Sequence, residues 1–285
     1  MPRILSLLLI SFLSLIHCAQ SSMDELEKDL LSSYTTLTES KTDSARLASS
    51  DEFKVLLKSN LRKKGVFEHP FSSLTICTLT SPDKAFRIFN WNIPLQDGTH
   101  RYEALILIPK EVKGEMMMDI AEMKQADTNL DRLETRSFKD NEWLGYLVYE
   151  IIDMKEDGTY LLLGWDGYDR ISNRKIIDVL EIRSHSVRTG SPLFKDEKDL
   201  YKRIVFRYAE EVSMSLRYQA KEKRILFDHL APKDPRLEGL FQFYGPDMSF
   251  NAYVYNKGKW ILQEDVEFLR KRQEKDKDFN DPRRK

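Results

Sequence analysis

The sequence predicts an α+β protein, with two N-terminal helices packed on predominantly antiparallel β-sheet or sheets. Three observations predict it. Apolar residues recur at helical spacing as far as Leu61, and from about residue 72 the apolar period falls to two. Turn signals then separate neighbouring strands by a few residues only, and such short connections demand antiparallel pairing, because parallel strands need a long crossover.

The chain begins with what reads as an export leader. Arg3 supplies a positive start, and residues 4–16 are apolar or hydroxyl-bearing without a charge. That run is too short for a bilayer span of about 20 residues and has the length of a signal-peptide core, roughly 7–15 residues. Cys18-Ala19-Gln20-Ser21-Ser22 follows, so cleavage after Ala19 is expected, with Gln20 as the new N-terminus and a periplasmic or cell-envelope address. An alternative is lipidation at Cys18 in the outline of a lipoprotein box, Leu15-Ile16-His17-Cys18, which His17 spoils because a small residue is wanted there. After cleavage Cys77 is the one thiol left, and a single Cys forms no internal disulfide. Its apolar neighbours Leu74 and Ile76 make it a small buried hydrophobe rather than a reactive group.

The first helix is read from Leu26, Leu30, Leu31, Tyr34 and Leu37 behind Asp24 and Glu25. The second is read from Phe53, Leu56, Leu57 and Leu61, with Ser49, Ser50 and Asp51 as its cap and Arg62, Lys63 and Lys64 before Gly65. Acid at the start and base at the end suit the helix dipole. Residues 41–44 form the loop between the two. Each stripe requires a covering surface, and the sheet that follows is the natural one.

Strands follow. Phe86, Ile88 and Asn90 alternate with Arg87, Phe89 and Trp91, and a second run, 102–108, ends at Pro109. Runs 143–153 and 160–165 are joined through Glu156-Asp157-Gly158, a hairpin signal. After the run 176–182 come alternations through Ile204, Phe206 and Tyr208, through Val212, Met214, Leu216 and Tyr218, and through Ile225 and Phe227. The last pair, 250–255 and 259–262, turns at Asn256-Lys257-Gly258. Such sheets commonly bury one face and wet the other. Segment 111–133, with Met116, Met117, Met118, Ile120, Ala121 and Met123, reads as a helix or an excursion, and Tyr244-Gly245-Pro246-Asp247 reads as a turn. The division expected is a leader at 1–19, a helical segment at 20–70, a β domain at 71–269 and a charged tail at 270–285.

Composition narrows the function classes. Forty-five Lys and Arg against 46 Asp and Glu leave a net charge of -1, which argues for neither a nucleic-acid partner nor a polybasic membrane surface. Phosphate-cradling loops and a serine-nucleophile elbow do not occur, and His100, His185 and His229 are spaced too irregularly for zinc, so no metal and no cofactor is expected.

Candidate site residues are therefore few. In Gly164-Trp165-Asp166-Gly167-Tyr168-Asp169 a tight turn past a strand end would bring two carboxylates together, as a cation site or simply as an Asx-type turn. Phe227-Asp228-His229 sets a carboxylate beside an imidazole, although neighbours on a strand point to opposite faces. Trp91, Trp165 and Tyr244 offer flat rings for a glycan or peptide, with core filling as the plainer account. The binding candidates are Trp91, His100, Trp165, Asp166, Asp169 and Tyr244, and the candidates for acid–base work are Asp166, Asp169, Asp228, His229 and Asp247.

A resemblance adds an address. His69-Pro70-Phe71-Ser72-Ser73-Leu74, Ser81-Pro82-Asp83-Lys84-Ala85-Phe86-Arg87-Ile88-Phe89-Asn90-Trp91-Asn92, Gln96-Asp97-Gly98-Thr99-His100, Leu163-Gly164-Trp165-Asp166-Gly167, Phe227-Asp228-His229-Leu230 and Phe243-Tyr244-Gly245-Pro246-Asp247 resemble a family of exported proteins of unknown function in Gram-negative bacteria. The likeness runs from about residue 65 to 262. It implies a periplasmic or surface-facing protein and transfers no functional residue. The expectation is a non-catalytic binding or accessory protein of the envelope with a glycan, peptide or protein partner. The rivals are an envelope hydrolase built from loop carboxylates and a histidine, and a lipid-anchored structural protein.

Overall fold

A computed structural model describes residues 22–126, 132–156, 158–183, 186–196 and 199–267. The leader with its cleavage point and Cys18, His185 and the tail at 270–285 lie outside the described residues.

Helix α1 covers residues 22–39 and α2 covers Asp43–Asn60. The α1 stripe is buried at Leu26, Leu30, Tyr34 and Leu37, and the α2 stripe at Phe53 and Leu57. Helix α2 starts earlier than Ser49. Its cap is Thr42, whose hydroxyl accepts from the Ala45 amide, while Ser50 lies inside the helix and accepts from Trp91 Nε1 at 2.9 Å.

Strands β1 (Cys77–Thr80), β2 (Arg87–Pro94), β3 (His100–Val112), β4 (Glu115–Gln125) and β5 (Glu142–Trp143) form the first sheet in that order. Strands β6 (Leu147–Glu156), β7 (Thr159–Asp166), β8 (Ser172–Arg183) and β9 (Ser186–Thr189) come next, then β10 (Phe194–Lys195), β11 (Leu200–Tyr201) and β12 (Arg203–Ala209). The chain closes with β13 (Leu216–Gln219), β14 (Arg224–Pro232), β15 (Tyr244–Asn256) and β16 (Lys259–Gln263). The second sheet runs β12-β8-β7-β6 with β9 also on β8, and the third runs β11-β10-β16-β15-β14-β13. Antiparallel pairing dominates. Parallel contacts occur between β4 and β5 and between β10 and β16.

Three apolar clusters stack these elements into four layers. Phe89, Trp91, Ile93, Leu105 and Leu107 of the first sheet meet both helices. Ile88, Ala104 and Ile106 on its other face meet Tyr146 of the β5–β6 connection and Val148, Leu162, Ile176 and Leu180 of the second sheet. Leu161, Leu163, Ile177 and Val179 then meet Phe194, Ile225, Phe227, Tyr253 and Trp260 of the third. The first two sheets are thus covered on both sides, which corrects the expectation of one wet face. It also explains why β7 is buried at nearly every position and reads as an apolar run rather than an alternation.

Segment 111–133 is a strand through Gln125, not a helix. Lys113 and Gly114 both take positive φ (53° and 83°), the requirement of a two-residue hairpin turn, and β4 pairs with β3 from Val112↔Glu115 to Ala104↔Met123. Strand β3 passes through Pro109, which pairs with Met118. The β2 partner has ended by Leu107, so the missing Pro N–H faces an open edge. Tyr244-Gly245-Pro246-Asp247 is not a turn either. It is the start of β15, paired with β14 until the register shifts between Asp228 and Leu230. Three residues of β15 oppose His229 there, and the bulge leaves Met248 at positive φ (74°) and 92% exposed.

Candidate functional site

The β7–β8 turn and the start of β3 meet where the first sheet leans on the second. Between them lies a cavity of about 620 Å³ lined by His100, Arg101, Gln125, Tyr168, Asp169 and Arg174, among others. Asp166, the last residue of β7, also lines it and faces Arg174 across the ladder.

Asp166 is buried and fully engaged. Its Oδ1 accepts from the Tyr102 hydroxyl at 2.9 Å, and its Oδ2 takes Arg174 Nε at 2.6 Å together with Arg174 Nη2. The same Tyr102 hydroxyl accepts from the Gly167 amide at 3.0 Å, which ties the turn of the second sheet to β3. Burial, and then the Asp166 carboxylate, push the Tyr102 hydroxyl far above its ordinary pKa. Asp169 closes an Asx turn, its Oδ1 accepting from the Ile171 and Ser172 amides and the Ser172 hydroxyl, while its Oδ2 accepts from Arg207 at 2.8 Å. Burial opposes its charge, yet these donors hold its carboxyl below the usual range. Two guanidinium groups lie over the Tyr168 ring, Arg174 at 4.0 Å and Arg207 at 4.5 Å from its centre. Cations over an aromatic face are attracted by its quadrupole, so the two contacts hold the ring that walls the cavity.

His100 contributes an imidazole with a defined tautomer. The Asn92 side-chain amide donates to Nδ1 at 2.8 Å, so the proton of the neutral ring sits on Nε2. Burial lowers its pKa, with Asp166 pulling the other way. Its ring stacks on Tyr102 at 6.0 Å and meets Trp165 edge-on at 5.7 Å. Gly167 keeps the space before Nε2 open, for a Cβ at this position would lie 2.8 Å from it.

The structure therefore gathers His100, Trp165, Asp166 and Asp169 in one place. Trp91 is elsewhere. It is 1% exposed in the helix-facing core, against Phe53 at 5.0 Å, which corrects its reading as a ligand platform. Tyr244 belongs to the third sheet, where its hydroxyl accepts from the Gly239 amide. Asp228 accepts from the Ser215 amide at 2.7 Å. His229 and Asp247 pair at 2.8 Å on the exposed bulge, and Ser249, then His229, hold the Asp247 carboxyl down at about 2. None of Asp228, His229 and Asp247 lines the cavity that holds Asp166. Residues the sequence did not single out are Arg101, Tyr102, Gln125, Tyr168 and Arg174. Tyr168 lay inside the named loop, whereas Gln125 and Arg101 carried no motif.

A larger cavity of about 820 Å³ lies between the β3–β4 and β6–β7 hairpins. None of the singled-out residues lines it. Asp83 there accepts from the Ser81 and Tyr160 hydroxyls, and its charge serves the fold. Among the described residues no group of three or more His, Cys, Asp or Glu gathers as a metal would require, and no helix is long and apolar enough to cross a membrane.

Fold and site together define a four-layer αβββ protein with a polar cavity at the seam of its first two sheets. No family model, no curated protein and no solved structure matches the chain. The likeness to exported Gram-negative proteins accordingly stands as a proposal.

Proposed function

We propose that the protein is a non-catalytic binding or accessory protein of the cell envelope, and that it holds a small polar ligand in the cavity between His100, Gln125 and Tyr168. One observation carries this reading. Both carboxylates of the cavity have their oxygens engaged by partners within the fold: Asp166 by Tyr102 and Arg174, Asp169 by Ser172, Ile171 and Arg207. A general acid or base must exchange its proton with a substrate within hydrogen-bond reach, and these groups are committed to holding the turn in shape. What they build is a rigid wall, which is what a preformed binding cavity needs.

The purified mature protein should give saturable, cavity-localised binding without turnover. Hydrolysis of envelope glycans or peptides that disappears in Asp166→Asn or His229→Gln would overturn the proposal in favour of the hydrolase. The envelope address is tested by mass spectrometry of the mature N-terminus. Gln20 at the start supports the cleaved soluble form, an acylated Cys18 supports the lipid-anchored form, and an intact leader on cytosolic protein removes the address altogether.

A further inference from the structure

Three side chains that line this cavity keep hydrogen-bond donors unused among the described residues, and they point to the charge of its occupant. Asp166 and Asp169 are matched one for one by Arg174 and Arg207. Arg101, next to His100 at the start of β3 but on that strand's other face, also lines the cavity, is exposed, and has no carboxylate partner among the described residues. The Gln125 side-chain oxygen accepts from the Tyr102 amide at 2.9 Å, so its NH₂ group remains to donate. His100 presents Nε2–H, since Nδ1 is taken by Asn92. Gly167 keeps that proton reachable, because a methyl group there would occupy the space directly before it.

We infer that the ligand is a small organic monoanion, held through a carboxylate by Arg101, His100 and Gln125. This rests on the proposal above that the cavity is the binding site. Among the described residues the pairing count leaves one surplus positive charge, which a carboxylate neutralises and a phosphate exceeds. The planar fork of Arg101 suits a carboxylate, and two neutral donors satisfy lone pairs that the guanidinium does not reach. A cationic ligand would find both aspartates already engaged. A neutral sugar would leave Arg101 without a countercharge.

The test uses the full mature protein, labelled with ¹⁵N, and four probes on one ring: benzoate, benzamide, benzylamine and phenyl phosphate. Benzoate should shift the His100 ring and Gln125 side-chain signals saturably. Its affinity should fall by about tenfold to a hundredfold in Arg101→Met, the range for losing one charge-assisted hydrogen bond. Arg101→Lys should recover part of that loss. Gly167→Ala should abolish the shifts, which locates them. If benzamide or benzylamine moves the same signals and benzoate does not, the cavity binds but the anion inference is wrong. Tighter binding of phenyl phosphate would likewise overturn the carboxylate. Benzoate affinity unchanged in Arg101→Met would remove Arg101 from the site and sink the inference. If no probe moves these signals, the cavity is not a ligand site and both proposals fall.

Discussion

The two ends of the β8–β12 ladder carry the same chemistry in opposite settings. At one end Asp178 and Arg203 form an ion pair with both side chains at 0% exposure. Arg203 Nε donates to Asp178, Nη1 donates to the Leu133 and Arg136 carbonyls, and the guanidinium lies over the Phe138 ring at 4.6 Å. Its Nη2 is buried without a partner, and Gly190 packs so close that a Cβ would lie 2.6 Å from it. At the other end Asp166 pairs with Arg174, and beside them Asp169 pairs with Arg207, around a cavity. The spare donor at the sealed end has nowhere to go and is a cost to the fold. At the open end Arg101, Gln125 and His100 line a cavity that another molecule can enter. An aspartate–arginine pair is therefore no sign of function by itself, and what lies beside it decides.

The largest effect should come from the sealed end. Asp178→Asn leaves Arg203 buried without its countercharge and should cost about 3–5 kcal/mol in urea denaturation. Replacing both residues, Asp178→Leu with Arg203→Met, should recover most of that. A single-mutant cost under about 1 kcal/mol would erase the contrast between the two ends, since such a value belongs to exposed pairs. Tyr102→Phe acts at the open end by removing the hydroxyl shared by Asp166 and Gly167. The expected loss is about 1–3 kcal/mol, because a buried carboxylate oxygen goes unsatisfied.

A smaller effect sharpens the comparison through pH. Burial, set against the pull of Asp166, depresses the His100 pKa below its ordinary value of 6.5 in the fold. The unfolded chain therefore takes up a proton first. Stability should fall as pH drops below 6.5 and level off once the folded ring is protonated too. His100→Gln should flatten that slope in denaturation series between about pH 7.5 and 5. A slope that survives the substitution would place its origin outside the cavity. The smallest effect belongs to the bulge. Asp247→Asn should lower neutral-pH stability by no more than about 1 kcal/mol, the range for an exposed, solvent-screened pair. The Asp247 contribution is present above 3.8 and lost as pH falls through about 2, so thermal melts across that acid range should lose this slope in the variant.

Much of the fold was legible because local rules agreed with the global outcome. The helix stripes at Leu26–Leu30–Tyr34–Leu37 and at Phe53–Leu57 are the buried faces, and Lys257-Gly258 with positive φ (48° and 80°) is the turn that joins β15 to β16. The layering was not legible. A strand covered on both faces loses its alternation, so Leu161-Leu162-Leu163 does not say which face meets which sheet. Strand β4 was missed because Lys113-Gly114 is a weak turn signal and Met116-Met117-Met118 has no period. The Tyr244–Asp247 strand was missed because Pro246 and Gly245 read as a turn while the pairing tolerates them beside a bulge. Of the site, the loop carrying Asp166 and Asp169 was found from its glycines and carboxylates. Arg101 and Gln125 were not, because they reach the cavity from β3 and β4, and no sequence spacing relates those strands to the β7–β8 turn.

The order of layers nearly follows the order of synthesis. Helices come first, and each later sheet supplies the cover for the face its predecessor left bare, except that β12 returns to the second sheet after β10 and β11 have entered the third. A chain halted after Gln125 would own finished helices and most of the first sheet, yet Ile88, Ala104 and Ile106 would look out on water. Nascent or proteolytically shortened forms should therefore be sticky at every length short of the last hairpin, and a carrier that shields greasy surface would have to stay bound until β16 has formed.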